Sequence, residues 1–160
     1  VPDTAGEDSV STLPVLAGKA EGPVREATIH HSYTGMFAIR NGKWKLVFSP
    51  DSGGWSNPIP WTGSEERREA NSKRGRICVE PEALADHEWV QLFDMESDPA
   101  ELKNQSGNHP EVVKSLTELA QKYIDDGRST PGAKQVNDVD PSLTPNWVAR
   151  YKGLGKKRKE

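Results

Sequence analysis

The chain has 160 residues, of which 33% are hydrophobic, with 14 glycines, 12 prolines and a formal net charge of −3. This length suits one domain, but the low apolar fraction predicts a small core among long irregular stretches. The charge argues against a general nucleic-acid role. No run approaches the roughly 18 apolar residues of a membrane span. The single cysteine, Cys78, excludes an intrachain disulfide.

Residues 1–24 are interpreted as a lead-in that precedes the folded core. Asp8 or Ser9 is a candidate helix N-cap and Gly18 a stop signal, but Pro14 limits any helix to a turn or two. The segment carries neither an initiator Met nor a signal peptide. We therefore expect it to follow other sequence in a longer or processed protein.

Residues 25–48 contain the clearest β signals. Two strand-like runs, ATIHH and MFAIR, flank SYTG, a four-residue hairpin loop in which Gly35 supplies a positive φ. The Asn41-Gly42 pair is a strong hairpin signal and joins MFAIR to KWKLVF. In that last run Trp44 alternates with lysines, the pattern of a strand with one solvated face. Three consecutive antiparallel strands are predicted.

Residues 49–86 combine turn formers, scattered Trp and mixed charge without a clear period, which predicts a long surface excursion. Such a segment either covers a site or moves, and Trp55 and Trp61 favour some packing. The run EWVQLFD at 88–94 follows and predicts a fourth strand, with both faces partly covered.

The strongest helix signal runs from Pro110 to Gly127. Proline suits the first helical position and glycine the position after the last turn. Residues 129–160 are polar and end in the basic run RYKGLGKKRKE, which predicts a flexible tail. The predicted fold class is α+β, a four-stranded antiparallel sheet with one packed C-terminal helix. The helix carries one apolar stripe, made of Val112, Leu116, Leu119 and Tyr123 and widened by Val113, Ala120 and Ile124.

Two adjacent histidines, His30 and His31, end the first predicted strand. Neighbouring strand residues face opposite sides, so one imidazole should point toward the core face and the other outward. The pair is a poor candidate for one metal ion, and His87 and His109 lie in predicted loops without ligand spacing. A structural role and a role at a site completed by another part of the protein both stay open.

The other reactive side chains give weaker patterns. Cys78 has no local base partner, which favours an incidental thiol. The acidic run FDMESDPAE lacks the spacing of a calcium loop and is typical of a solvated turn. Lys43, Lys45 and Arg40 could bind an anion, although such charges more often solvate the outer face of a sheet. Asn104 begins NQS, a short and common glycosylation pattern.

Three segments carry a resemblance to a known family: AGEDSVSTLPVLAGK (5–19), REATIHHSYTGMFAIRNGKWKLVF (25–48), and the stretch from VQLFDMESDPAELKNQ to GRSTPG (90–132). In this order and spacing they resemble the C-terminal part of the type I sulfatases, the arylsulfatase family, and the GRSTPG ending is similar to bacterial members. The resemblance implies a large N-terminal alkaline-phosphatase-like domain upstream and a small C-terminal subdomain at 25–128, with the loop 49–86 inside it.

The resemblance also implies chemistry. Members hydrolyse sulfate esters with a formylglycine made from a Cys/Ser-x-Pro-x-Arg motif, and their calcium is held by the N-terminal domain. That motif is absent: Cys78 is followed by one residue too many before the proline, Ser56 has Pro60 in place of the arginine, and Ser129 has Ala133 there. We therefore expect no catalytic residue and no calcium ligand in this chain, and no turnover by it alone.

The resemblance implies a role in substrate binding. The C-terminal sheet and its loops would close one wall of the cleft and contact a sulfated small molecule or glycan, with His31 favoured over His30 because it is closer to the loop. The family leads us to expect a periplasmic or secreted location. The alternatives are a free-standing module that binds an anionic glycan through Lys43, Lys45 and the basic tail, or a phosphodiesterase of the same superfamily.

Overall fold

The computed structural model describes residues 6, 8–32, 35–49, 58–60, 64–73, 77–79, 90–138 and 142–143. The helices and strands, in chain order, are α1 (Leu13–Leu16), β1 (Thr28–His31), β2 (Phe37–Asn41), β3 (Trp44–Val47), β4 (Pro58–Pro60), α2 (Glu65–Lys73), β5 (Ile77–Val79), β6 (Gln91–Asp94) and α3 (Pro110–Asp126).

Four of the strands form one sheet in the order β1-β2-β3-β6, and every neighbouring pair is antiparallel. Helix α3 contacts β2 and β3 on one face of this sheet. The predicted α+β class, with four antiparallel strands and one packed C-terminal helix, is confirmed. Strand β6 is shorter than the predicted run 88–94, of which residues 88 and 89 lie outside the described residues.

Two glycines make the tight connections between the first three strands. Gly35 has a φ of 79° and its N–H donates to the Ser32 carbonyl at 3.0 Å, in the loop before β2. Gly42 has a φ of 55°. Asn41 pairs with Trp44, so the second loop consists of Gly42 and Lys43 alone. Glycine at the first of two loop positions is typical of a type II′ turn, which places the turn one residue later than an Asn-Gly turn would.

The core lies between α3 and the sheet. Ile39, Leu46 and Leu92 are neighbours across β2, β3 and β6, and all three are 0% exposed. The predicted apolar stripe of α3 covers them, because residues three and four apart share one face of a helix. The buried cluster consists of Ala27, Ile39, Leu46, Phe48, Leu92, Leu116, Ala120 and Tyr123.

A hydrogen bond ties this core to the segment before β1. The Tyr123 hydroxyl donates to Glu26 Oε2 at 3.3 Å. Burial, with the Glu26 carboxylate beside the phenol, raises the pKa of Tyr123 to about 12. The hydroxyl therefore stays a donor throughout the neutral pH range.

The excursion between β3 and β6 contains short elements that its sequence did not predict. Strands β4 and β5 pair in parallel, and α2 is a nine-residue helix with few apolar residues. Its first turn carries Glu65 and Glu66 and its last turn Lys73, which complements the helix dipole. No described helix has the length and hydropathy that crossing a bilayer requires. The lead-in forms the single helical turn α1, as predicted, with Thr12 rather than Asp8 or Ser9 before its first residue.

Helix α3 ends in a Schellman motif. The Gly127 N–H donates to the Ile124 carbonyl and the Arg128 N–H to the Tyr123 carbonyl, each at 3.1 Å, while Gly127 has a left-handed φ of 63°. The chain then folds back, and the Gln135 N–H donates to the Asp126 carbonyl at 2.9 Å. Contacts with the helix thus continue into the predicted tail, which begins at residue 129. Residues 139–141 and 144–160 lie outside the described part.

The GRSTPG segment folds around its own arginine. The Arg128 side chain is 8% exposed, and its guanidinium donates to the Ala133 carbonyl and to Thr130 Oγ1, each at 3.1 Å. The Ser129 N–H and hydroxyl both donate to Asp8 Oδ1 at 2.6 Å. The segment after α3 is therefore fixed both to itself and to the lead-in.

We predict that Gly127→Ala destabilises the protein by about 1–3 kcal/mol, because a Cβ there forces a left-handed φ on an L-residue. That Cβ would also lie 2.3 Å from the Gln135 carbonyl oxygen. Urea unfolding measures the change. Gly22→Ala is the control, since a Cβ at Gly22 meets nothing within 4 Å. Equal stability of the two variants would contradict this account of the helix end.

The outer edge of β6 is closed by one side chain. Asn104 Oδ1 accepts the Leu92 N–H at 2.9 Å, and its Nδ2 donates to the Val90 carbonyl at 3.1 Å. The Gln105 N–H adds a bond to the Leu92 carbonyl at 2.8 Å. Asn104 thus satisfies backbone groups that an edge strand leaves open, which favours a structural amide over a glycan acceptor.

We predict that Asn104→Ala lowers the free energy of unfolding by about 1–3 kcal/mol, because it leaves part-buried backbone groups without partners. Asn108→Ala is the matched control: that amide is exposed and bonds to the Gln105 side chain. Chemical denaturation of both variants checks the prediction. Comparable losses of unfolding free energy in the two variants would show that the Asn104 side chain does not stabilise the edge of β6.

Candidate functional site: a polar groove on the open face of the sheet

The face of the sheet opposite α3 carries a different set of side chains. Ile39 and Leu46 point toward α3, so their strand neighbours point the other way. There His30 pairs with Ala38, Ala38 with Val47, and Val47 with Gln91, which places one row across all four strands. Two apolar members, Ala38 and Val47, form a second small buried cluster with Phe93, against which Met95 packs.

A groove of about 400 Å³ lies over this row. Its floor is apolar and its rim is polar. The floor includes Met36, Ala38, Val47 and Phe93, which are each 6% exposed or less, and the rim includes His30, His31, Ser32, Lys45, Gln91 and Glu101. The polar groups of such a rim can form hydrogen bonds with a hydroxyl-bearing ligand. The ligand need not bury much of its own apolar surface on the closed floor.

The two predicted histidines meet at this groove from different directions. His30 is on the open face, through its pairing with Ala38. His31 lies edge-on to Phe37, with ring centroids 5.8 Å apart, and Phe37 packs against the core beneath α3. The Nδ1 atom of His31 is 2.9 Å from the Ser32 carbonyl oxygen. Because β1 ends here, both imidazoles nevertheless line the groove, and their role in binding substrate stays a prediction.

An ion pair crosses the groove between β3 and the connector that follows β6. Lys45 Nζ lies 2.6 Å from Glu101 Oε1, and the side chains are 19% and 32% exposed. Glu101 has a φ of 57°, the only positive φ of a non-glycine residue in the described part of the chain. An L-residue rarely holds this conformation without a structural or functional reason.

Asp98 holds Glu101 in place. The Asp98 carbonyl accepts the Glu101 N–H at 3.1 Å, and its carboxylate accepts the N–H groups of Leu102 and Lys103 at 3.0 and 2.8 Å. Asp94 caps the preceding turn through the N–H groups of residues 96 and 97. The acidic turn predicted to be merely solvated therefore shapes one side of the groove.

Three rim residues, Ser32, Gln91 and Glu101, were not predicted from the sequence. Gln91 alternates with the buried Leu92, so strand periodicity could have placed it on the open face. Gln91 Nε2 donates to the Ser49 carbonyl at 3.0 Å. Glu101 gave no such signal, because its bond to Lys45 depends on a backbone conformation and on a partner 56 residues away.

The charges around His30 favour its neutral form. Burial lowers the pKa of His30, Lys45 and His31 lower it further, and the Glu101 carboxylate partly opposes them. At neutral pH the imidazole therefore offers one N–H donor and one nitrogen acceptor to a ligand.

We predict that His30 titrates below the ordinary histidine pKa of about 6.5. Lys45→Met should raise its pKa because a nearby cation is removed, and Glu101→Gln should lower it because a nearby anion is removed. Imidazole NMR signals followed against pH measure both shifts. Shifts of the opposite sign would mean that these two charges do not act on His30.

The other candidates do not form a second site among the described residues. Lys43 pairs with Asp94 at 2.8 Å and lies over the Trp44 ring. The centroid of that ring is 4.8 Å from the centroid of the His109 ring. Within the described ranges no three His, Cys, Asp or Glu side chains converge closely enough to hold a metal ion. Cys78 lies in β5, and its side chain is outside the described part.

Residues 24–150 match the family model of the C-terminal region of aryl-sulfatase. This chain belongs to the aryl-sulfatase family. The match covers the sheet, the groove and α3, and it confirms the C-terminal sulfatase subdomain that the sequence resembled. Aryl-sulfatases are hydrolases, so the match also confirms the predicted enzyme class of the family.

The chain is also similar to individual proteins, over a small part of their length. The chain is 29% identical over 121 residues to an N-acetylgalactosamine-6-O-sulfatase of Bacteroides thetaiotaomicron, which covers 76% of the chain and 19% of that protein. A solved structure from work on the metabolism of multiple glycosaminoglycans by Bacteroides thetaiotaomicron is 27% identical, with a TM-score of 0.47. That match covers 76% of this chain and 21% of the solved chain. This aryl-sulfatase region thus spans about a fifth of the relatives it matches.

Proposed function

We propose that this region forms one wall of the substrate cleft in a sulfatase that hydrolyses a sulfate ester of a saccharide. In this proposal the groove contacts the part of the substrate beside the sulfate. The nucleophile and the calcium come from sequence outside these 160 residues. The observation that carries the proposal is the polar rim of the groove on the sheet face that α3 leaves open.

The geometry of the rim supports a binding role rather than a catalytic one. His30 and His31 offer ring nitrogens, and Gln91 offers an amide, on rigid strands whose backbone the sheet fixes. The Cys/Ser-x-Pro-x-Arg motif is absent from the sequence. A saccharide sulfate fits these groups because its hydroxyls both donate and accept hydrogen bonds. One relative is named as a sulfatase of N-acetylgalactosamine, which supports a sugar as the ligand.

The alternative of a free-standing module that binds anionic glycans has less support. Lys43 and Lys45, the two lysines it relies on, are each paired with a carboxylate, Asp94 and Glu101. A lysine already neutralised in this way attracts an anion less strongly than a free one. The basic tail on which that alternative also relies lies outside the described residues.

We predict that His30→Ala and His31→Ala, made in the protein encoded with its upstream catalytic region, raise the KM for N-acetylgalactosamine 6-sulfate by roughly three- to tenfold, the effect of losing a hydrogen bond to the substrate. The kcat/KM for 4-nitrophenyl sulfate should change much less, because its ring carries no saccharide hydroxyl for the histidines to bond. Steady-state kinetics on both substrates measures the difference.

His109→Ala is the matched control, since it removes an imidazole that contacts Trp44 outside the groove. We expect it to leave both substrates unaffected. The 160-residue chain alone should show no turnover of either ester. Unchanged saccharide kinetics in both groove variants would overturn the cleft-wall proposal, and turnover by the chain alone would overturn the external nucleophile.

A further inference from the structure

We infer that the groove selects an uncharged, hydroxyl-bearing part of the saccharide and disfavours a second anionic group there, and that Glu101 sets this selectivity by holding Lys45. The inference rests on the proposed function and names the substrate class of the same site. It concerns the group next to the sulfate ester that is cleaved, not that sulfate itself.

The first step is the charge balance of the rim. Among the described residues, the charged side chains that line the groove, apart from the imidazoles, are Lys45 and Glu101. Their charged atoms are 2.6 Å apart. The cation that would attract a carboxylate or a sulfate is thus already occupied by an anion, and the remaining polar groups of the rim, Ser32 and Gln91, are neutral.

The second step is that Glu101 is held in an unfavourable backbone conformation at this place. The left-handed φ aims its side chain at Lys45, and the three Asp98 hydrogen bonds keep the connector in that shape. A non-glycine residue in this region points to a function that the surrounding structure maintains. If the turn served only to connect β6 to α3, a glycine would fit position 101 with less strain.

The third step is the cost of a competing anion. To bind Lys45, a ligand carboxylate or second sulfate would have to separate the ion pair and leave Glu101 unpaired in a site where it is only 32% exposed. Removing one partner of a shielded pair is unfavourable. A sugar hydroxyl avoids this cost, because it can donate to Glu101 and accept from Lys45 while the pair stays intact.

The experiment compares two substrates in the protein encoded with its upstream region: N-acetylgalactosamine 6-sulfate and N-acetylgalactosamine 4,6-disulfate. The measured quantity is the ratio of their kcat/KM values. We expect the wild type to prefer the monosulfated sugar. Glu101→Gln should free Lys45 and shift the ratio toward the disulfated sugar by roughly tenfold, the size of one close charge interaction.

Two further variants separate selectivity from folding. The double variant Lys45→Met with Glu101→Gln removes both charges, so it should return the ratio to near the wild-type value; a merely structural Glu101 would not give this reversal. Glu118→Gln is the matched control, because it removes the carboxylate of an exposed lysine pair on α3, Lys114 with Glu118, outside the groove. We expect no change in ratio there.

The outcomes are distinguishable. An unchanged ratio in Glu101→Gln, while His30→Ala still raises the KM for the monosulfated sugar, overturns the selectivity role of Glu101 and leaves the cleft wall standing. If neither His30→Ala nor Glu101→Gln changes any saccharide parameter, the proposed function itself is wrong. A shift equal to that of Glu118→Gln would also count against Glu101.

Discussion

The packing of α3 on the row formed by Ile39, Leu46 and Leu92 is the interaction on which the rest of the structure depends. These three side chains are completely buried, and they join β2, β3 and β6 at one level. In a chain with so few apolar residues, no other described cluster buries as many side chains. Each strand has its register fixed here, since a slip by one residue would move its apolar side chains to the wrong face.

Fixing the register on one face of the sheet also determines which side chains lie together on the other face. Once Ile39 and Leu46 face α3, residues on either side of them must face away, which brings His30, Lys45 and Gln91 together from three strands. The packing of the core therefore determines where the groove lies, but it does not determine the chemistry of the groove. Its charge depends on Glu101, which reaches the sheet from a connector shaped by Asp98.

The sequence predicted what depends on periodicity and on strong local signals. The four strands follow from alternation and α3 from its helical stripe; its ends follow from the fixed φ of Pro110 and from the left-handed φ that Gly127 adopts easily. It could not predict the ion pair of Lys45 with Glu101, because two long flexible side chains far apart in the chain carry no pattern. The short pairing of β4 with β5 was missed for a related reason: three-residue strands are too short to show a period.

The connection from β3 to β6 has a thermodynamic consequence. Val47 and Gln91 are paired across the sheet, so everything between them is a closed loop whose ends the core holds together. The entropy of closing such a loop grows only with the logarithm of its length, and a doubling costs about 0.6 kcal/mol. This is less than the net contribution of a typical single hydrogen bond, about 1 kcal/mol. By this term alone, a change in the number of residues between Val47 and Gln91 alters the free energy of folding by less than one hydrogen bond does.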